Sequence, residues 1–252
     1  TVTGEVTGGA VTLESAGLAS INAAVTANAA LRITSQNDAI VIGAAADLLA
    51  GSLTSSADTS ITVDGIVSTS GNATLSAGTA LDIGAAGQVG SNGLSLVGRR
   101  IDIAGLVSAK NALDLIAGAD GATITGIGVG GASTLNSGAG FTLSGLLVGT
   151  NSLALEINDE ASIAAAGVLY GADLDLSAGS ITSAGNVLGT SIDLKSQSGD
   201  LALSGLLVGE DVSLISAAQL SNAGQVVGLT ELALQATGAL STTSASELAG
   251  GQ

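Results

Sequence analysis

Proline, cysteine, methionine, tryptophan and histidine are all missing from this chain of 252 residues. Without histidine or cysteine there is no imidazole base, no thiol nucleophile and no His/Cys metal site. The absence of cysteine also excludes a disulfide framework. The absence of proline leaves every backbone N–H free to join a hydrogen-bond ladder. Aromatic side chains are almost as scarce, with Phe141 and Tyr170 the only two. Yet 46% of the residues are hydrophobic, so Leu, Ile, Val and Ala must fill the interior. Such a core suits narrow, regularly stacked layers better than an irregular interior.

Long hydrophobic runs are missing too. The longest apolar stretches, such as Ile163 to Ala172, are about half of the ~20 residues that a spanning helix needs. A transmembrane barrel would carry aromatic girdles, which two aromatic residues cannot supply. The chain is therefore expected not to span a membrane. Basic residues number 5 against 21 acidic ones, a net charge of −16. That balance excludes nucleic acid, whose binding relies on clustered Lys and Arg. The single basic pair, Arg99-Arg100, reads as a solvated turn. Acidity keeps so apolar a chain soluble and opposes lateral association. Since no initiator Met and no basic-then-apolar leader open it, the chain is expected to be a processed or excised fragment.

What is present is a repeat. The apolar residue closing each "Leu-polar-Leu" triplet falls at Leu13, Ile33, Leu53, Leu75, Leu96, Leu115, Leu135, Leu155, Leu176, Leu194, Leu214 and Leu234, in steps of 18 to 22 residues. Two residues earlier, nine of these twelve positions are Val, Leu or Ile, as at Val11, Leu94, Leu153 and Ile192. The residue between is never a large aliphatic: Thr12, Ser52, Asp114, Asp175 and Asp193 are examples. In-out-in is strand alternation with period 2. A second apolar group follows, as in Leu81 and Ile83, Ile101 and Ile103, Phe141 and Leu143, and Leu201 and Leu203. A third ends in aliphatic-Gly, at Val89-Gly90, Val129-Gly130, Val148-Gly149, Leu188-Gly189, Val208-Gly209 and Val227-Gly228. The string Leu-Ser-Gly-Leu-Leu-Val-Gly stands identically at 143–149 and 203–209, which duplication explains most simply.

Three short apolar groups per unit, parted by Gly, Asn, Ser and Asp turn signals, leave no room for a helix. The expectation is an all-β chain, a right-handed parallel β-helix (solenoid) of about twelve ~20-residue coils, with like strands stacked in parallel about 4.8 Å apart. Residues 1–252 are expected to form a single repeat array, a fragment of a longer shaft. A lone coil buries too little apolar surface to offset the ordering of its backbone, so stacking is obligatory. The Leu13–Leu234 column should be buried, and Asp114, Asp175 and Asp193 should face solvent.

The strings NATLSAGTALDIGAAGQVGSNGLSLVGRRIDIAGLVS (72–108) and GADLDLSAGSITSAGNVLGTSIDLKSQSGDLALSGLLVG (171–209) resemble the shaft repeats of filamentous haemagglutinins. These are secreted exoproteins of two-partner secretion systems, a group that includes adhesins and contact-dependent inhibition effectors. The resemblance implies a right-handed parallel β-helix forming a rod, secreted to the cell surface of a Gram-negative bacterium. It implies an outer-membrane transporter as partner during secretion, and a host or bacterial cell-surface receptor met through regions outside this chain. The family's secretion domain carries Asn-Pro-Asn motifs, and this chain has no proline. No compositional break marks a toxin or a binding tip, so the resemblance points to mid-shaft.

Carboxylates are the remaining chemistry. Asp82 and Asp102 are expected to stack in adjacent coils, as are Asp175 and Asp193, where such pairs could serve as acid and base or bind Ca²⁺. Two charges about 4.8 Å apart repel by only about 1 kcal/mol in water, so solvated outward positions account for them without a function. The Gly-Gly-x-Gly-x-Asp calcium repeat does not occur, nor does a Thr-x-Thr column in register. Asn72, Asn92, Asn111 and Asn151 begin no glycosylation sequon and read as turn residues. The expectation is therefore no enzyme: no catalytic residue, no metal ligand and no cofactor. The function expected is a structural shaft that projects a distal binding or toxin region. The alternative is a β-helical polysaccharide-processing enzyme using surface carboxylates. The opening Thr1-Val2-Thr3 and the closing Ser241-Thr242-Thr243-Ser244 carry no cap, so fraying and end-to-end self-association of the fragment are expected.

Overall fold

In the computed structural model, which describes residues 1–243 and 247–250, the chain is a β-solenoid of about twelve turns and contains no helix among the described residues. The 23 strands among the described residues join in one sheet, and every strand away from the two ends pairs in parallel with its counterparts one coil before and one coil after. Three faces follow from the three apolar groups of the sequence. The first carries the Leu-x-Leu strands, the second strands such as Ile101-Asp102-Ile103, and the third strands such as Leu146-Leu147-Val148.

Alternation decides what points inward. Along the first face, Leu94 and Leu96, Leu113 and Leu115, and Leu174 and Leu176 are buried, whereas Asp114, Asp175 and Asp193 lie at least partly in solvent. The second face turns in Leu81 and Ile83, Ile101 and Ile103, and Phe141 and Leu143. The third turns in Val89, Val107, Leu147, Leu169, Val187 and Leu207. The one large core side chain, Phe141, stacks between Ala122 and Ala161. Its own coil supplies Gly128 and Ser133 at inward positions, so the ring's volume is offset within its layer and the layers on either side.

Two corrections to the expected register follow. Leu31 pairs with Leu53, and Ile33 with Ser55, which in turn pairs with Leu75. Leu53 therefore belongs to the column that starts at Val11, and the outward residue of that coil is Thr54, not Ser52. The Leu-polar-Leu pattern misleads here because the core position is filled by Ser55, fully buried with its Oγ unpaired. On the third face the aliphatic-Gly signal aligns only in part. Val89 is inward, but Val129, Val148, Leu188, Val208 and Val227 are outward, and Gly128, Leu147, Val187, Leu207 and Val226 take the inward places.

The three corners differ in kind. Between the third and first faces the ladder bends without ending in most coils, and Gln88–Ile103 and Leu146–Ile163 continue across the first face onto the second, interrupted only by register shifts. Between the first and second faces, inward serines close the bend: Ser196 and Ser216 donate to the Gly199 and Gln219 carbonyls at 2.7 and 2.8 Å. This satisfies groups that the turn would otherwise leave unpaired beside the core.

The corner between the second and third faces is the sharpest, and it is built on stacked glycines. A Cβ on Gly145 would strike the Gly126 carbonyl oxygen, and one on Gly205 the Gly185 oxygen. The same station holds Gly105, Gly126, Gly185 and Gly224. Each coil rests its backbone on the one before, closer than any side chain allows. Three coils insert two extra residues there and close a four-residue turn, with Ala46 N–H to Gly43, Gly87 to Gly84 and Gly167 to Ala164 all at 2.8 Å. These insertions account for part of the spread in coil length.

At the ends the expected burial fails. Leu13 and Leu234 are only half-buried, and Leu240 and Leu248, inward by register, are exposed. The repeat does not fade at Ser241: Leu240–Thr242 pairs with Leu220–Asn222, and Glu247–Gly250 with Gln225–Gly228. Ser244, the last residue of the expected uncapped end, lies outside the described residues.

Candidate functional site

The carboxylates stand where alternation puts them, and the expected pairs do stack. Asp82 is opposite Asp102 on the second face, and Asp175 opposite Asp193 on the first.

The first pair is not open. Ile101 points inward, so its neighbours Arg100 and Asp102 both point out, and Ala80 sits opposite Arg100 one coil back. The guanidinium reaches Asp102 Oδ2 through Nε at 2.7 Å and Asp82 Oδ1 through Nη2 at 3.0 Å. The hydrogen bond to Asp82, then the charges of Asp102 and Asp82, hold the Arg100 pKa above its already high ordinary value. Arg99 pairs with Asp120 at 3.3 Å. Arg99 and Arg100 are exposed to solvent as expected, but they lie within the strand Gln88–Ile103 rather than in a turn, and the two arginines tie adjacent coils together. The guanidinium also occupies the position from which a sugar or a cation would approach both carboxylates.

The second pair has no such clamp. Asp193 accepts from Ser213 Oγ at 3.3 Å, and Asp114, in the same outward column, accepts from Thr134 Oγ1 at 2.8 Å. Asp175 has Lys195 nearby, yet its carboxyl is held above the usual range. Partial desolvation is the first cause, followed by the charges of Asp193 and Glu156, with Lys195 acting the other way. A depression beside Asp193 is lined by Ser191, Asp193, Asp211, Ser213 and Glu231, and Asp175 is not part of it. Among the described residues no three of His, Cys, Asp and Glu are grouped so as to hold a metal ion. No wall of loops surrounds either pair. Of the expected asparagines, Asn111 donates to Asn92 at 3.1 Å across one coil, a stacked pair at the corner between third and first faces.

The feature that alternation did not announce is on the third face. Its outward positions are apolar over successive coils: Leu106, Ile127 and Val129, Leu146 and Val148, Val168 and Tyr170, Leu188, Leu206 and Val208, and Val227. Leu106, Ile127 and Tyr170 are 38%, 42% and 41% exposed. The signal was there as triple aliphatics such as Leu146-Leu147-Val148, where a half-solvated strand would alternate.

Comparisons with protein-family models, with curated proteins and with solved structures find no match for this chain.

Proposed function

We propose that this chain is a structural shaft of a secreted bacterial surface exoprotein, similar to the haemagglutinin-type repeats that its sequence resembles, and that it carries no catalysis of its own. The observation behind this reading is the unbroken coil. Up to Thr242, no break between consecutive strands is longer than four residues. A saccharide-processing solenoid needs long loops to wall a cleft, and a spacer needs their absence. At about 4.8 Å per coil, about twelve coils give a rod roughly 55 Å long.

Two measurements test it. An antibody raised against the chain should label intact cells that produce the parent protein, and external protease should remove the signal. Labelling only after permeabilisation would overturn the surface assignment. Incubation with neutral and acidic polysaccharides should release no oligosaccharide. Turnover that disappears in Asp175→Asn or Asp193→Asn would replace the shaft reading with the enzymatic one.

A further inference from the structure

We propose that the third face, from the strand at Leu106 to the strand at Gln225, is a surface on which a second copy of this chain docks, face to face, about a two-fold axis running along the strands. The proposal is independent of the shaft reading.

Seven successive strands present their outward side chains here, and none of those side chains is charged: the polar ones are Ser108, Asn186 and Gln225. In a chain of net charge −16 this is a marked exclusion. The acids of the same coils lie on the first face and its corner, as Asp114, Glu156, Asp175 and Asp193. Pairing through the third face keeps the outward acids of the first faces out of the contact and leaves Asp173, Glu210, Asp211 and Glu231 on its rim, whereas pairing through the first face would set carboxylate against carboxylate.

The outward side chains form two ridges, one through Ile127, Leu146 and Val168 and one through Val129, Val148 and Tyr170, with a groove above the inward residues. Stacked sheet faces pack about 10 Å apart, and an isologous pair supplies both faces from one surface, each ridge lying along its own copy with side chains of successive coils interleaved. Tyr170, the only tyrosine of the chain, stands on the fourth of the seven strands. The two-fold therefore passes beside it and brings the two rings together, an aromatic anchor at the centre of the patch. The same axis sets one end of the strip against the other. Along the corner with the first face, exposed Lys110 follows the first strand and exposed Glu210 the sixth, so the lysine of each copy comes near the glutamate of the other.

The size of the patch fixes the kind of complex. Seven strands about 4.8 Å apart, three residues wide, with their corner residues, offer about 500 Å² per copy. About 1,000 Å² in all is the lower limit of a specific interface, so the dimer is reversible and concentration-dependent.

Sedimentation equilibrium of the whole chain from about 1 to 500 µM, a range matched to weak association, should give a monomer–dimer equilibrium that stops at two. Acrylamide quenching of Tyr170, the only strong fluorophore, should fall as the dimer forms. Tyr170→Glu should weaken the dimer at least about tenfold, as loss of a central anchor does. Val148→Glu should leave Tyr170 open to quencher at every concentration, and Thr142→Glu, outward on the second face, should change nothing. Lys110→Glu and Glu210→Lys should each weaken the dimer, and together restore it. Tyr170→Ser gives the same reading should Tyr170→Glu lose the native circular dichroism. A monomer throughout the range, a dimer indifferent to folded Tyr170 variants, or growth past two copies would overturn the proposal. Charge changes that merely add would overturn the orientation of the axis.

Discussion

The column that runs from Leu13 to Leu234 has the same chemistry at its ends as in its middle, but not the same burial. Leu75, Leu115 and Leu214 are sealed from solvent, while Leu13 and Leu234 remain half-open. The side chains point the same way in both regions; what differs is whether a coil lies above and below. Burial in this fold belongs to the neighbour more than to the residue, so the same substitution should have unequal consequences along the chain.

The sharpest break in that comparison is at the glycine corner. Gly145→Val should destabilise by about 3–5 kcal/mol, because its Cβ meets a backbone oxygen that cannot move without shifting the preceding coil. Gly17→Val, where a Cβ meets nothing, should stay within about 0.5 kcal/mol. Thermal melts read both, and equal losses would mean that the corner glycines serve only chain flexibility. Next in size, Leu115→Ala should cost about 2–5 kcal/mol and Leu13→Ala about half of that or less. Amide exchange near each site checks the pair, and the contrast fails if the two sites lose protection alike.

One interior position runs against the comparison. Ser55 is buried between Ile33 and Leu75 with an unpaired hydroxyl. Ser55→Val should raise stability by about 1–2 kcal/mol by removing that group and adding apolar packing. A drop in Tm would mean that the coil has closed around serine too tightly for the larger side chain.

The smallest effect is electrostatic. Asp175 has a folded pKa above its unfolded value, so as pH rises the unfolded chain gives up its proton first. The stabilising contribution is therefore present in acid and is lost as pH climbs through the unfolded and then the folded pKa. Asp175→Asn should raise Tm slightly at pH 7 and leave it unchanged near pH 3. A gain at both values would trace the effect to packing instead of charge.

Much of this architecture was readable from the chain alone because period-2 alternation and a coil-length period leave few alternatives. The inward columns of the first and second faces follow from Leu113-Asp114-Leu115 and Ile101-Asp102-Ile103 directly. The exceptions share a cause, which is that alternation is silent where both neighbours are of one polarity. At Ser55 a polar residue occupies a core position, so the triplet slides two residues to Leu53. On the third face, Leu206-Leu207-Val208 is apolar throughout, and only its pairing with Asn186-Val187-Leu188 tells inside from outside. Cross-coil contacts were hidden for another reason. The stacking of Asp82 on Asp102 follows from the period, but that Arg100 lies over both depends on side-chain reach across 18 residues. Of the candidate carboxylates, position was legible and environment was not.

The identical heptapeptides at 143–149 and 203–209 occupy the same station of the solenoid. Leu143 and Leu203 are inward on the second face, Gly145 and Gly205 sit at the stacked corner, and Leu147 and Leu207 are inward on the third. A genetic crossover between the two copies would therefore remove or add sixty residues, from 143 to 203, and leave every column continuous across the joint. Length in this molecule is heritable in whole steps of three coils, about 14 Å each, with no intermediate that has to fold out of register.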